Sequence, residues 1–329
     1  MMLTSQVCRR FHCLGTFEWQ CKTLLHSRCA LQRCCKQPIC SSLVSSRTYS
    51  SSGEFQGQEH AALYNKYRPK PDETLVSKIV MDYVRKKTGL HSGRLGIAVD
   101  VACGSGQATE VVAGHLNKVI GVDASESQIT EAKRANTTGN IEYRCGFANS
   151  LPVSDNSVNL VTCFQAAHYM DLDFTKFCHE VSRVLTKNGC LAIYTMDKHD
   201  IIHADEKIAE QLSGFYNQLY HGTLKDYFVY DCMNRQDLYM HKFVIPNQFK
   251  GVKRYQLMTM NTMTVADFIG FITSLSGYQK HLREHPEQDI ITGFQQRFLE
   301  ILQVETSAQE TIIQLTAPVY IILACKEQG

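Results

Sequence analysis

The pattern of apolar and polar positions between residues 95 and 196 alternates between two periods. Short apolar runs are typical of buried strands, and they predict strands over 95–101, 118–122, 141–145, 158–164 and 190–196. Between these runs, helical spacing of the apolar residues predicts helices over 107–115, 125–135 and 174–185. Ser125 or Ser127 is a suitable N-cap for the second helix. Strands that alternate with helices in this way indicate βαβ units, and therefore a parallel sheet with helices on both faces.

Residues 95–196 form the core of the predicted domain. The segments before and after this core extend the predicted domain to residues 54–329. A helical stretch precedes the core near 72–87, and an apolar segment over about 311–325 predicts a closing strand. Apolar residues at helical spacing in 201–219 and 287–304 predict a helical cap, about 200–305, over the substrate edge of the sheet. The predicted fold class is therefore α/β, and ligands of such sheets bind beyond the carboxyl ends of the strands.

A glycine-rich turn follows the first predicted strand. Gly104 and Gly106, in Val-Asp-Val-Ala-Cys-Gly-Ser-Gly-Gln over 99–107, permit a tight turn and a close approach of the backbone to a ligand. Asp123 lies seventeen residues after Gly106, at the end of the second strand, where a carboxylate accepts hydrogen bonds from a ribose diol. A dinucleotide site requires a small residue where this chain has Thr109, which disfavours a pyrophosphate cofactor.

Asp100, four residues before Gly104, completes an acid-then-glycine pattern that resembles motif I of the class I S-adenosylmethionine-dependent methyltransferases. Two further segments, 146–152 and 184–191, resemble that family's loop after the third strand and its turn into the fifth strand. Phe147 and Asn159 depart from the family's usual residues. The resemblance covers residues 54–329. It implies a Rossmann-like, seven-stranded, mostly parallel sheet closed by an antiparallel hairpin, with S-adenosylmethionine as cofactor.

The same resemblance implies the residues of the cofactor site. They come from the ends of several strands and are Asp100, Ala102, Gly104, Gly106, Asp123, Ala124, Phe147, Ala148 and Gln165. In that family the acid at the position of Asp100 lies near the ammonium group of the cofactor. Phe147 is suited to stack on or near the adenine.

A narrower resemblance concerns the substrate side. Segments 55–69, 165–171, 263–268 and 274–279 resemble the trans-aconitate methyltransferase-like group within the type 11 methyltransferases. This likeness implies that Tyr64, Tyr67, Arg68 and Tyr278 lie on the substrate side. Arg68 and Lys66 are suited to neutralise an acidic substrate, Arg68 by a bidentate grip. The alternative for the tyrosines is plain packing, and for Arg68 and Lys66 it is a solvated helix end.

His168, in the segment 165–171, has two candidate roles. An alcohol, phenol or amine acceptor requires a general base, and His168 at the end of the fourth strand is the candidate for that catalytic role. A carboxylate acceptor is already a nucleophile at neutral pH, in which case His168 is a structural hydrogen-bonding residue that shapes the pocket.

Charge separates the first 53 residues from the rest. They hold seven basic residues and one acidic residue, whereas the other 276 residues hold 27 basic and 31 acidic residues, a net charge of −4. An Arg- and Ser-rich, acid-poor leader is typical of a mitochondrial transit peptide, which predicts a location in the mitochondrial matrix. The alternative is a disordered tail, or a stretch wrongly joined to the coding frame, on a cytoplasmic protein.

Composition limits the remaining function classes. The acidic body offers no basic stripe for a nucleic-acid partner, and no apolar stretch approaches the ~20 residues of a membrane span. Seven of the fourteen cysteines lie in the leader without a CxxC pair, so no metal site is predicted, and the other seven are expected to be reduced thiols. We therefore predict methyl transfer from S-adenosylmethionine to a small molecule, with a carboxylate among the candidate acceptors. The alternatives are a catalytically silent, methyltransferase-like assembly factor and a protein or RNA methyltransferase.

Overall fold

The computed structural model of the chain describes residue 55 and residues 57–90, 93–228 and 235–326. The predicted leader, residues 1–53, lies outside the described residues. Eight strands form one sheet within the described part: β1 Leu95–Val101, β2 Leu116–Asp123, β3 Ile141–Cys145, β4 Val158–Phe164, β5 Leu185–Met196, β6 Asp200–Ile202, β7 Phe249–Thr264 and β8 Ile312–Lys326.

The sheet places the first five strands in the order β3-β2-β1-β4-β5, all parallel. β8 lies antiparallel to β5 and pairs along its other edge with β7, so the two last long strands form an antiparallel pair that closes the sheet. The three-residue β6 continues the edge of β8 beyond β5. Seven long strands thus confirm the predicted α/β class, and β6 is an addition to it.

Helices cover the sheet and one of its edges. They are α1 Gln58–Tyr67, α2 over 73–88, α3 Gln107–Ala113, α4 Glu126–Ala135, α5 Phe174–Val184, α6 Glu206–Asn217, α7 over 235–242, α8 Val265–Thr273, α9 Ser276–Glu284 and α10 Ile290–Leu302. Ser125 caps α4 as predicted, because its Oγ accepts a hydrogen bond from the backbone N–H of Gln128. No helix in the described ranges is both long and apolar enough to cross a membrane.

The core consists of two apolar layers on opposite faces of the sheet and a third cluster in the cap. Successive residues of β1 alternate between the layers: Val99 packs with α5, whereas Ala98 packs with α2. Buried side chains of α6, α8 and α10 form the cap cluster, which includes Tyr216 and Phe268. The sheet is therefore buried on both faces, as the continuous apolar runs of a parallel sheet require.

One segment differs from the prediction. The range 200–305 was predicted as a helical cap, but β7 occupies Phe249–Thr264 within it. Most side chains of β7 are exposed or half-buried, because this strand lies at the edge of the sheet. An edge strand with two solvated faces lacks the apolar alternation from which a strand is predicted.

Candidate functional site

A cavity opens at the carboxyl ends of β1, β2 and β4, and we call it the strand-end cavity. Its wall includes Gly104, Asp123, Ala124, Gln128, Phe147 and Ala148. The predicted cofactor residues Ala102 and Gln165 also line it. The structure therefore brings seven of the nine predicted cofactor residues to one cavity.

The turn from β1 into α3 forms the floor of this cavity. Its backbone adopts positive φ angles at three residues. Ala102, Gly104 and Gly106 all have positive φ angles, 54°, 56° and 96°. Only glycine adopts this region without strain, so the strained Ala102 marks a place where the surrounding structure fixes the backbone. Gly106 does not line the cavity. It packs below it, where a Cβ would lie 2.2 Å from the hydroxyl of Tyr143.

Asp123 is fixed by two backbone N–H groups. Its Oδ2 accepts a hydrogen bond from Gly104 (2.9 Å), and its Oδ1 accepts one from Ser125 (2.8 Å). Burial raises the pKa of this carboxyl, and the backbone N–H groups oppose that rise. The carboxylate thus connects the glycine turn to the cap of α4 and presents its remaining acceptor capacity to the cavity.

Asp100, also predicted as a cofactor residue, does not lie on the wall of the strand-end cavity. Its side chain is fully buried. Its two oxygens accept hydrogen bonds from the hydroxyls of Thr109 (2.6 Å) and Thr162 (2.7 Å). Desolvation raises its pKa to about 6. Asp100 therefore ties β1 to α3 and β4 beneath the turn.

Two further side chains give the strand-end cavity its chemistry. Gln128 is buried, and both polar atoms of its amide lack a partner among the described residues. Phe147 is 56% exposed at the cavity wall, which is unusual for a large aromatic side chain. The cavity therefore combines an unsatisfied amide, an anchored carboxylate and an apolar surface.

A second cavity, the cap cavity, lies between the sheet edge and the helices α1, α6 and α8. Its wall includes Arg68, His168, Lys198, His199, Tyr216 and Arg235. Six residues line both cavities: Phe55, Tyr64, Ala102, Phe164, Gln165 and Tyr169. The two cavities therefore meet at these six residues.

Three cations line the cap cavity, and two of them have carboxylate partners. Lys198 lies 2.8 Å from Asp200, and Arg235 lies 3.8 Å from Asp197. Arg68 has no carboxylate within 4.0 Å in the described part of the chain. It donates to the carbonyl of Ser274 (3.2 Å) and stacks on Tyr64, 4.7 Å from the ring centroid. The cavity thus carries an excess of positive charge at Arg68.

Two buried histidines line the cap cavity, and they differ in their hydrogen bonds. His168 shares a 3.0 Å hydrogen bond between its Nδ1 and the hydroxyl of Tyr239. Burial, with Arg235 and Arg68 nearby, lowers its pKa well below the ordinary value. Neither ring nitrogen of His199 has a partner among the described residues. Burial lowers its pKa to about 4. Both imidazoles are therefore neutral at pH 7.

The predicted substrate residues separate into two groups. Tyr64 and Arg68 line the cap cavity, whereas Tyr67 and Tyr278 do not. Tyr67 packs against α8, where a Cβ on Gly270 would lie 2.4 Å from its ring, and Tyr278 is buried in the cap cluster. Lys66 is exposed, with its Nζ over the ring of Tyr67. Lys66 and Tyr67 are consecutive residues of α1 and point about 100° apart, so Tyr67 packs against α8 while Lys66 is exposed.

Sequence reasoning missed several residues that line the cavities. They are Gln128, Lys198, His199, Tyr216 and Arg235. The polar segment that follows the fifth predicted strand was a usable signal for Lys198 and His199, because ligands bind at such strand ends. Gln128 and Tyr216 lie on helices, and Arg235 follows residues 229–234, which the structure does not describe.

Comparisons with known proteins agree with this geometry. Residues 99–193 match the family described as a methyltransferase domain. A Dictyostelium discoideum protein assigned to the methyltransferases is 29% identical over 265 residues, which cover 80% of this chain and 92% of that protein. A Saccharomyces cerevisiae protein assigned to the S-adenosylmethionine-dependent methyltransferases is 23% identical, with 74% and 89% covered. The solved structure of an Anaeromyxobacter dehalogenans protein assigned to the type II methyltransferases superposes with a TM-score of 0.60 at 21% identity. It covers 80% of this chain and 100% of that one.

The strand-end cavity fits the cofactor of this family, S-adenosylmethionine. Asp123 would hold the ribose hydroxyls, and the unsatisfied amide of Gln128 supplies a donor and an acceptor for a polar group. Phe147, Ala148 and Met170 provide an apolar wall for the adenine. The match to the methyltransferase domain thus confirms the predicted cofactor, and the donor and acceptor groups of the cavity suit it.

Proposed function

We propose that this chain, a member of the class I S-adenosylmethionine-dependent methyltransferases, methylates a small molecule that carries a carboxylate. The observation that carries the proposal is the guanidinium of Arg68 in the cap cavity, without a carboxylate partner among the described residues. A guanidinium binds a carboxylate through two parallel hydrogen bonds, and its planar fork sets the orientation of the bound group.

The surroundings of Arg68 support a bound anion. Its side chain lies between the rings of Tyr64 and Phe271, at 4.7 Å and 5.3 Å from their centroids. The stacked rings and the carbonyl of Ser274 hold the guanidinium in one orientation, which reduces the entropy lost when an anion binds. Arg235 and Lys198 add positive charge to the same wall.

The shape of the site supports a small acceptor over a protein or an RNA. The cap cavity is covered by α1 on one side and by α6 and α8 on the other, and its lining is largely aromatic. Such a covered cavity, which combines aromatic side chains with a small number of polar and charged groups, is typical of a site for a small molecule. A macromolecular acceptor would require an open groove or a basic surface.

The residues of the two cavities have different roles in methyl transfer. When bound, S-adenosylmethionine supplies a methyl group on an activated sulfonium. Arg68 orients the acceptor carboxylate, and Phe164 and Tyr169 exclude water where the cavities meet. His168 is neutral and bonded to Tyr239, so it shapes the wall, and a carboxylate acceptor requires no base.

The test uses the full chain with methyl-labelled S-adenosylmethionine and a size-fractionated cell extract. We expect base-labile label in the small-molecule fraction, as methyl esters give. Arg68→Gln should raise the KM for the acceptor at least tenfold with little change in cofactor affinity. Lys66→Gln, two residues earlier in the chain but outside the cavity, is the matched control and should change neither the KM nor the cofactor affinity.

Three outcomes would contradict the proposal. Base-stable label in small molecules would indicate an alcohol, phenol or amine acceptor and return His168 to the role of base. Label only in macromolecules would indicate a protein or RNA substrate. Cofactor binding without label in any fraction would indicate a silent, methyltransferase-like assembly factor.

A further inference from the structure

His199 is a buried imidazole with no hydrogen bond among the described residues. It follows the end of β5, is 1% exposed and lines the cap cavity. Its ring meets the edge of Phe271 at 5.2 Å between centroids, and Phe271 also lies under Arg68. His199 and Arg68, the proposed carboxylate-binding residue, therefore lie against the same aromatic ring.

Tyr216 adds a second unsatisfied polar group to this wall. It belongs to α6, is 1% exposed, and its hydroxyl has no partner in the described ranges. Lys198 connects the two residues: its Nζ donates to the carbonyl of His199 (2.8 Å) and lies 5.0 Å from the centroid of the Tyr216 ring. Two polar side chains that line the cap cavity thus have no hydrogen-bond partner among the described residues.

Burial, and after it the nearby charges, keep the imidazole of His199 neutral. Burial lowers its pKa most, Lys198, Arg68 and Arg235 lower it further, and Asp200 opposes these cations only in part. A neutral imidazole has one N–H donor and one acceptor nitrogen, and the hydroxyl of Tyr216 also donates and accepts. Leaving such groups unsatisfied in a buried site is unfavourable, so a bound group that pairs with them gains affinity.

A carboxylate alone does not satisfy this pair of residues, because an ionised carboxylate only accepts hydrogen bonds. A hydroxyl or a carboxamide both donates and accepts. We propose that His199 and Tyr216 bind such a group on the acceptor, so that the substrate is an acid bearing a hydroxyl or carboxamide apart from its methylated carboxylate. This inference rests on the proposed carboxylate specificity of the same cavity.

His168 is the natural comparison for this proposal. It lines the same cavity and is equally buried, yet its Nδ1 is already paired with Tyr239. Because only His199 has both ring nitrogens available, it is the histidine that binds the substrate, whereas His168 shapes the cavity wall.

The experiment measures binding to the full chain loaded with S-adenosylhomocysteine, by calorimetry at pH 7.5. The probes are unbranched carboxylates of four to eight carbons whose far end carries a hydroxyl, a carboxamide or a methyl group. We expect the best hydroxyl or carboxamide acid to bind about tenfold more tightly than its methyl counterpart, the value of one good hydrogen bond.

Two variants of His199 test the source of this preference. His199→Leu should reduce the preference to less than threefold, whereas His199→Asn, which keeps a donor and an acceptor, should retain most of it. His281→Leu is the matched control, because His281 is similarly buried but lies outside the cavity. The His281→Leu variant should prefer the hydroxyl or carboxamide acid over the methyl acid by the same factor as the unmodified chain.

The outcomes separate this inference from the proposed function. Binding of the acids without any preference for a hydroxyl or carboxamide would overturn the role of His199 and leave the carboxylate proposal standing. An unchanged preference in the His199→Leu variant would also overturn the role of His199 and leave the carboxylate proposal standing. Failure of every acid to bind would overturn the carboxylate specificity, and this inference with it.

Discussion

At the scale of single residues, Asp123 is the group on which cofactor binding depends most directly. Asp123→Asn keeps the shape of the side chain but removes its charge and one of its acceptor oxygens, and both oxygens are used by the N–H groups of Gly104 and Ser125. We expect the Kd for S-adenosylmethionine to rise at least tenfold, since a hydrogen bond to a charged group contributes about 1.5–3 kcal/mol.

Isothermal titration of the full chain measures this change. Glu142→Gln is the control, because Glu142 is a half-exposed acid on β3 outside both cavities. Its Kd should stay within twofold of the unmodified chain. An unchanged Kd for Asp123→Asn would remove the carboxylate from the cofactor site.

The two acids at the strand ends show what the sequence can and cannot predict for a residue. Asp100 and Asp123 both lie near the carboxyl end of a predicted strand, and motif spacing favours both as cofactor residues. Alternation along β1 turns Asp100 toward Thr109 and Thr162 inside the protein, whereas Asp123 comes where β2 ends and lines the cavity. Spacing therefore places a residue at the right edge of the sheet, and the side chain's direction decides its role.

At the scale of elements, the turn from β1 into α3 is the part most sensitive to added atoms. Gly106 has φ 96°, and a Cβ there would lie 2.2 Å from the hydroxyl of Tyr143. Gly106→Ala combines backbone strain with this clash, so we expect the free energy of unfolding to fall by about 2–4 kcal/mol. Chemical denaturation measures it.

Gly139 provides the comparison for that substitution. It precedes β3 and has no neighbouring atom within 4 Å of a Cβ, and its φ is not positive. Gly139→Ala should therefore change the free energy of unfolding by less than about 1 kcal/mol in either direction. Equal effects of the two substitutions would show that the turn tolerates a side chain.

The central strand β4 follows from the sequence, because its apolar run is bordered by polar residues, and its bounds agree with the predicted strand. The edge strand β3 also has the predicted bounds, because Ile141, Tyr143 and Cys145 alternate with charged residues. β7 was missed, because its side chains are solvated and its register is set by its pairing with β8. The cap cavity depends on where α1, α6 and α8 pack, and long-range packing leaves no local pattern in the chain.

At the scale of the whole molecule, burial of Asp100 couples stability to pH. Its carboxyl is fully buried and its pKa is raised to about 6, above the ordinary value of 3.8. The folded state therefore binds this proton more tightly than the unfolded state. The buried charge therefore lowers the free energy of unfolding by its full amount above pH 6, and this destabilisation is lost as the pH falls through 6 toward 3.8.

Comparison with Asp100→Asn isolates this effect, because all other groups titrate in both proteins and cancel in the difference. Between pH 7 and pH 5, the unmodified chain should gain about 1 kcal/mol of unfolding free energy relative to the variant. Urea denaturation of the cofactor-free full chain at the two pH values measures it. A difference that stays constant with pH would mean that Asp100 titrates alike in both states, and that Thr109 and Thr162 offset the desolvation of its charge. A gain of the expected size would show that the fold accepts an unfavourable buried charge at neutral pH to join β1, α3 and β4 beneath the cofactor turn.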